Sequence, residues 1–145
     1  MVRRWGLAVV WVVCGVFAAA GTRLGVGPGV ALVVLVVCLG VAGVHSPLVF
    51  PRSVGALEAQ RRSTLDGRPV VYWRPGCAYC LRLRLRLGRE ASRLHWVDIW
   101  RDRDGAAVVR AINDGNETVP TVIVDGRPHT NPDPGWVRKV VRADV

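Results

Sequence analysis

The sequence is short of the residues from which metal sites are usually built. It has four cysteines and three histidines in 145 residues, with no His-x-x-x-His pair and only one Cys-x-x-Cys pair. A structural zinc site normally needs four ligands. We therefore expect no bound metal. Two of the cysteines, Cys14 and Cys38, stand in apolar segments at different predicted depths, so we expect them to be packing residues and not a disulfide.

Acidic residues are also few, but the resulting positive charge is dispersed. Twenty Lys and Arg against 11 Asp and Glu give a net charge of +9. The arginines form no patch interleaved with aromatic residues, the pattern typical of nucleic-acid-binding surfaces. We therefore expect no nucleic-acid partner and attribute the charge to a solvated surface.

Charge is almost absent from residues 1–44. Residues 5–22 and 24–44 carry none, and a membrane-spanning helix needs about 20 apolar residues. Their lengths predict a transmembrane helical hairpin over residues 1–44, joined at Gly21-Thr22-Arg23, with the lipid bilayer as a partner. An alternative reading of the first segment is a cleaved signal peptide, because small residues end it.

Arginines flank both ends of this predicted hairpin. They are Arg3 and Arg4 before it and Arg52, Arg61 and Arg62 after it. The positive-inside rule then predicts a multi-pass protein of the cell membrane, with both termini and the following domain in the cytoplasm. Residues 45–67 read as a juxtamembrane linker with a short helix capped by Ser53.

Residues 68–145 alternate between strand and helix patterns. Strands are predicted at residues 69–73, 94–100, 121–124 and 127–130, and helices at residues 77–87, 102–112 and 136–142. The Leu-Arg alternation of residues 81–87 is formally a strand signature. Because both residue types favour helices and none of the seven is β-branched, we assign a helix with two leucine stripes.

The Cys77-Ala78-Tyr79-Cys80 stretch joins the first strand to this helix. A cysteine at a helix N-terminus meets unpaired N–H groups and the positive end of the helix dipole, which favours the thiolate. We therefore predict Cys77 as the nucleophile and Cys80 as the resolving thiol. Half of a zinc site and an incidental pair are the alternatives, and a structural disulfide over so small a loop would add little stability.

From residue 69 to residue 141 the chain resembles a glutaredoxin of the thioredoxin fold. Three stretches carry the resemblance: residues 77–80, the Thr118-Val119-Pro120 motif, and Asp125-Gly126 followed by residues 130–132 (Thr-Asn-Pro). Residues 113–122 and 130–132 are most similar to mycoredoxins, the glutaredoxins that work with mycothiol. Ala78 stands where many glutaredoxins have proline and mycoredoxins usually have glycine.

The resemblance implies a four-stranded mixed sheet flanked by helices, with a cis proline at Pro120 facing the cysteines. It implies substrate contacts from Thr118, Val119 and Pro120, with the Val119 backbone pairing with an extended substrate. We add Arg74, as a partner of the thiolate and of a substrate carboxylate, and Tyr79, as a residue lining the cysteine loop.

The predicted function is that of a membrane-anchored thiol–disulfide oxidoreductase. It would act on S-thiolated or disulfide-bonded proteins, with no bound cofactor and with mycothiol, in preference to glutathione, as the low-molecular-weight co-substrate. Three alternatives stay open: a redoxin fed by a flavin-dependent reductase, a non-enzymatic thioredoxin-fold binding module tethered to the membrane, and an extracytoplasmic disulfide oxidant, which requires the inverted topology.

Overall fold

A computed structural model describes residues 2–20, 27–45 and 49–143. The chain divides into two units, Met1–Val49 and Phe50–Val145. The first contains α1 (Val2–Ala20) and α2 (Pro28–His45). The second contains α3 (Ala56–Asp66), β1 (Val70–Trp73), α4 (Ala78–Leu87), a 3₁₀ segment (Gly88–Arg93), β2 (His95–Asp98), α5 (Arg103–Ile112), β3 (Thr121–Val124), β4 (Arg127–Thr130) and α6 (Pro134–Ala143).

Small side chains allow α1 and α2 to pack closely. A Cβ placed on Gly15 would lie 3.0 Å from the Cβ of Cys38 and 3.1 Å from Cδ1 of Leu35. Small buried residues complete this contact: Ala8, Ala31, Cys38 and Ala42. Cys14 and Cys38 are free thiols, but Cys14 is exposed and Cys38 is buried, so the packing role predicted for both fits Cys38 alone. The predicted connection at Gly21-Thr22-Arg23 lies outside the described residues.

The prediction of two transmembrane helices is wrong. Over the described parts of the chain, no helix is both long enough and apolar enough to cross a membrane. The uncharged stretches counted in the sequence are longer than the uncharged parts of the helices. Helix α2 begins only at Pro28, and proline is favoured in the first turn of a helix. The uncharged parts of the two helices, residues 5–20 and 28–44, span about 24 and 26 Å at 1.5 Å per residue, against a hydrocarbon core of about 30 Å.

The predicted localisation depends on these two helices being transmembrane helices. A multi-pass protein of the cell membrane, with its termini and redox domain placed by the positive-inside rule, requires spanning segments. Since no described helix qualifies as one, that assignment is also wrong.

The second unit has a thioredoxin-like α/β fold with a four-stranded mixed sheet, as predicted. The strand order is β2-β1-β3-β4. Strand β1 pairs in parallel with β2 and antiparallel with β3, and β3 pairs antiparallel with β4. A parallel pair needs a long crossover connection, which α4 and the 3₁₀ segment supply between β1 and β2.

The core is built around the central strand. All four residues of β1 are buried, which explains its uninterrupted apolar sequence. The indole of Trp73 stacks on Phe50 with ring centroids 3.7 Å apart, and Trp96 meets the same Phe50 ring edge-on at 5.6 Å. These rings extend the core to the segment that precedes α3.

The Leu-Arg alternation is helical, as predicted, but only one leucine stripe is buried. Leu83 and Leu87, four residues apart, pack in the core with Cys80. Leu81 is half-buried and Leu85 is 59% exposed. The second predicted stripe is therefore only partly covered.

Helix α3 packs within the second unit, against β2 and α5, with Ala56 and Ala59 buried. Ser53 does not cap it: its hydroxyl accepts a hydrogen bond from the Asp98 N–H at 2.6 Å, and Gly55 is the capping residue. The capping carboxylate comes from far along the chain. Asp102 accepts from the Ala56 N–H at 2.9 Å through Oδ2 and from the Gly105 N–H at 2.7 Å through Oδ1. One side chain therefore caps both α3 and α5.

We expect Asp102→Ala to lower the free energy of unfolding by about 2 kcal/mol, because it removes two N-caps that each contribute about 1 kcal/mol. Asp102→Asn should lose about half of that, since an amide has only one acceptor oxygen. Urea denaturation measures both. Asp104→Ala, an exposed acidic residue in the first turn of α5, is the control. Equal losses in the Asp102→Ala and Asp104→Ala variants would contradict the double cap.

Candidate active site

Cys77 sits at the junction of β1 and α4. A tight turn leads from Trp73 to Cys77, and Gly76 has φ +78, a conformation that favours glycine. Cys77 has extended backbone angles and is the N-cap of α4. Its sulfur accepts a hydrogen bond from the Cys80 N–H at 3.2 Å. The turn therefore places Cys77 Sγ at the helix N-terminus, where the dipole favours negative charge.

A second turn lies against this sulfur. The Val119-Pro120 peptide bond is cis, as predicted. The Cys77 thiol donates a hydrogen bond to the Val119 carbonyl oxygen, with 3.3 Å between the sulfur and the oxygen. Two stretches 42 residues apart in the sequence thus meet at one atom, and the predicted contact between the cysteine loop and the proline turn is confirmed.

The pKa values of the two thiols are shifted in opposite directions. The pKa of Cys77 is lowered to about 7, chiefly by a hydrogen bond from the Cys80 thiol and further by the Cys80 and Tyr79 N–H groups and the charge of Arg74. Burial raises the pKa of Cys80 well above its usual range, and the hydrogen bond to Cys77 and the charge there add to that. Both cysteines are free, with Cys77 half-buried and Cys80 fully buried. Cys77 is therefore the thiol that ionises first.

The other predicted site residues surround this pair to different degrees. Arg74 reaches across to the 117–120 segment and donates to the Glu117 carbonyl oxygen at 3.4 Å. Tyr79 projects from the first turn of α4 and is 58% exposed. Thr118 is exposed, whereas the side chains of Val119 and Pro120 are buried. The structure thus brings Arg74 and the proline turn to Cys77 and leaves Tyr79 at the surface beside them.

Sequence analysis missed the residues that hold the proline turn. Asn113, at the end of α5, donates to the Val109 carbonyl at 2.8 Å and to Thr121 Oγ1 at 3.3 Å, and it accepts from Thr130 Oγ1 at 2.6 Å. Thr121 in turn donates to the Thr118 carbonyl at 2.8 Å. Asn113 opens one of the mycoredoxin-like stretches, which was the one available signal.

A further backbone bond fixes the other side of the same turn. The Asn131 N–H, just after β4, donates to the Pro120 carbonyl at 2.7 Å. The turn is therefore tied to α5, to β4 and to the segment that leads into α6. Among the residues that the structure describes, no three His, Cys, Asp or Glu side chains cluster as metal ligands would.

Comparison with known proteins bears directly on this arrangement. The glutaredoxin family profile matches residues 70–129, which include both cysteines and the proline turn. Two proteins of Mycobacterium tuberculosis, from different strains and each named "Putative glutaredoxin", are 42% identical to the chain over 64 residues. The aligned part is 43% of this chain and 76% of each relative. The chain belongs to the glutaredoxin family. The predicted family resemblance is therefore confirmed for the second unit.

The groups that lower the pKa of Cys77 can be removed one at a time, and their effects on that pKa should differ in size. Alkylation of Cys77 by iodoacetamide should rise with pH around a midpoint of about 7, because only the thiolate reacts. Cys80→Ala should move that midpoint upward, since it removes the largest stabilising hydrogen bond. Arg74→Gln should move it upward by less. Mass spectrometry of the labelled peptide measures the rates.

Arg101→Gln, at an exposed turn outside the site, is the control for loss of positive charge. A midpoint that stayed near 7 after Cys80→Ala would contradict the assignment of the Cys80 thiol as the main cause of the lowered pKa.

The Asn113 contacts predict a local effect on the proline turn. Asn113→Ala should lower the free energy of unfolding by about 1–3 kcal/mol, because it leaves buried hydrogen-bonding groups without their partner. It should also speed hydrogen exchange at the amides of Thr118, Val119 and Thr121. Asn116→Ala removes one exposed side-chain hydrogen bond and is the matched control. Unchanged exchange at these three amides in Asn113→Ala would refute the proposed anchoring.

Proposed function

We propose that this glutaredoxin is a thiol–disulfide oxidoreductase that reduces mixed disulfides between proteins and a low-molecular-weight thiol. One observation carries the proposal. Cys77 Sγ caps a helix with its pKa lowered to about 7, faces the cis Val119-Pro120 turn, and has a second, protonated thiol three residues away. Disulfide exchange proceeds by attack of a thiolate on a disulfide, and a second thiol nearby can resolve the mixed disulfide that forms.

The first step is an exchange of one disulfide for another. The Cys77 thiolate attacks the sulfur that belongs to the small thiol in the target's mixed disulfide. A new bond forms between Cys77 and the small thiol, the old disulfide breaks, and the target cysteine leaves as a thiolate that takes a proton from water. A pKa near 7 suits this step, because the attacking thiol is most effective when its pKa lies near the ambient pH.

Two routes regenerate Cys77. In the first, a free molecule of the small thiol, as its thiolate, attacks the adduct, leaving the oxidised dimer of the small thiol and the Cys77 thiolate. In the second, Cys80 loses its proton and attacks Cys77, which forms the Cys77–Cys80 disulfide and releases the small thiol. The second route needs a further two-electron donor, either two molecules of the small thiol or a flavin-dependent reductase. Burial of Cys80 and its raised pKa favour the first route when the small thiol is abundant.

The surrounding residues receive supporting roles in this proposal. The exposed Thr118 and the Val119 backbone lie beside the sulfur and can pair with an extended substrate chain. Arg74 lowers the pKa of Cys77 through its charge, and we assign it the further role of binding a substrate carboxylate. Tyr79, largely exposed in the first turn of α4, offers a ring for the substrate to contact.

We propose mycothiol, in preference to glutathione, as the small thiol. Two observations support this choice. Residues 113–122 and 130–132 are similar to mycoredoxins, and Asn113 and Thr130 within them shape the proline turn. The relatives that match the chain are mycobacterial proteins named as glutaredoxins.

The test compares mixed disulfides of one peptide with mycothiol and with glutathione. We expect a higher kcat/KM for the mycothiol disulfide. Cys77→Ser should lower the rate at least about a thousandfold, as loss of a nucleophile does. Cys80→Ser should retain turnover when free mycothiol is present. Cys14→Ser is the matched control, because Cys14 is a free thiol in the other unit. Full activity in Cys77→Ser would overturn the mechanism, and a preference for glutathione would overturn the choice of thiol.

A further inference from the structure

Helix α4 carries a row of positive charge that the proposed chemistry does not use. Arg82 and Arg86 lie four residues apart on one face of the helix, and both are exposed. Neither guanidinium group has a hydrogen bond or an ion pair within the described part of the protein. Like charges at this spacing destabilise a helix by roughly 0.2–0.5 kcal/mol. The helix therefore retains a repulsion that an anionic partner would relieve.

A cleft collects this charge. A depression of about 190 Å³ is lined by side chains of α4 and by the start of α6, namely Arg82, Arg86, Asp133, Pro134, Gly135 and Arg138. We call it the arginine cleft. Three guanidinium groups and one carboxylate line it. Asp133 Oδ1 accepts from the Trp136 N–H at 2.9 Å, and Arg138 is paired with Glu90, so the charges of Arg82 and Arg86 are the ones without a described partner. The cleft is therefore left with an excess of positive charge.

The positive row continues along α6 beyond the cleft. Arg138 and Arg142 are both held by Glu90, at 2.9 and 2.7 Å. A single carboxylate thus fixes two guanidinium groups one helical turn apart without neutralising both. The basic surface spans about one turn on each of two helices, which is longer than a single carboxylate needs. Its extent suits several acidic side chains spaced along a polypeptide.

The arginine cleft lies close to the reactive sulfur along the chain. Arg82 is five residues beyond Cys77, about 7.5 Å along the axis of α4 at 1.5 Å per residue. The segment that leads into the cleft from β4 is hydrogen-bonded to the proline turn, through the Asn131 N–H and the Pro120 carbonyl. A polypeptide whose disulfide reaches Cys77 would therefore have its neighbouring residues within range of the cleft.

We propose that the arginine cleft selects protein substrates that carry acidic residues beside their target cysteine. This inference rests on the proposed function and names the class of protein on which it acts. Arg82, Arg86 and Arg138 would form exposed charge-assisted hydrogen bonds to Asp or Glu side chains of the substrate. Such pairs at an interface rim increase mainly the association rate and weaken with salt.

The experiment uses two peptides of equal length, each with one cysteine in a mixed disulfide with 2-mercaptoethanol. One peptide has glutamates flanking the cysteine, and the other has glutamines. The full chain should reduce the glutamate peptide with a kcat/KM about 3- to 10-fold higher, as expected for two exposed ion pairs. The preference should shrink as salt is raised and shortens the range of the charges.

The double variant Arg82→Gln/Arg86→Gln should bring the ratio of the two rates toward one. Arg101→Gln/Arg127→Gln changes net charge equally at exposed positions outside the cleft, and it should keep the ratio. Thermal unfolding checks that both double variants are folded. Because the ratio is internal to each variant, a general loss of activity does not affect it.

Three results would overturn the proposal. The first is equal rates for the two peptides in the unmodified chain, and the second is an equal fall in the ratio for both double variants. The third is a loss of activity in Arg82→Gln/Arg86→Gln on the small mixed disulfide of cysteine with glutathione, with no change in the peptide ratio. That result would make the cleft a site for a small anion.

Reduction of the glutamine peptide tests the proposed function separately, since it needs Cys77 but no acidic residue.

Discussion

The hydrogen bond from the Cys80 N–H to Cys77 Sγ is the contact on which the site depends. Most helix caps are oxygen atoms that have no other task. Here the capping atom is a sulfur that can ionise, so the interaction that begins α4 also stabilises the charge on Cys77. Helix initiation and thiol reactivity are consequently two effects of one geometry. The strand, the turn through Gly76 and the buried stripe of α4 all serve to hold that sulfur at the helix end.

The opposite wall of the site is held by polar groups. The Val119 carbonyl reaches Cys77 because the proline turn is fixed by Asn113, Thr121 and the Asn131 N–H. Hydrogen bonds of this kind fix position more narrowly than apolar contacts, since they depend on direction as well as distance. The site therefore combines a helix end set by hydrophobic packing with a turn set by a short hydrogen-bonded network.

Much of this arrangement is predictable from the sequence, because the patterns that mark it are local. Strands β3 and β4 and the helical character of the Leu-Arg stretch follow from residue preferences and turn residues. The contact between Cys77 and residue 119 spans 42 positions and was reached through the family resemblance, not through periodicity. The double cap by Asp102 is different in kind, because no local pattern shows that a carboxylate at position 102 will meet the N–H of residue 56.

The two helices wrongly predicted to span a membrane show a second reason why sequence patterns mislead. Counting uncharged residues measures the length of an apolar stretch, whereas spanning a bilayer depends on the length of the helix itself. A proline at position 28 moved the start of α2 and shortened the second helix relative to that count. Likewise, Leu85 belongs to an apolar stripe of α4 and is nevertheless exposed. An apolar pattern in the sequence does not by itself show that another element will cover it.

The shared cap at Asp102 ties α3 to the redox unit, upstream of the residues that match the family. Residues 70–129 define the family relationship, yet Ala56 and Phe50 lie outside that range and contact Asp102 and Trp73 inside it. A fragment cut at residue 68 would expose the face of the sheet that α3 covers and leave one oxygen of Asp102 without its N–H donor. The compact unit of this glutaredoxin therefore begins at Phe50, upstream of residue 70, where the family match begins.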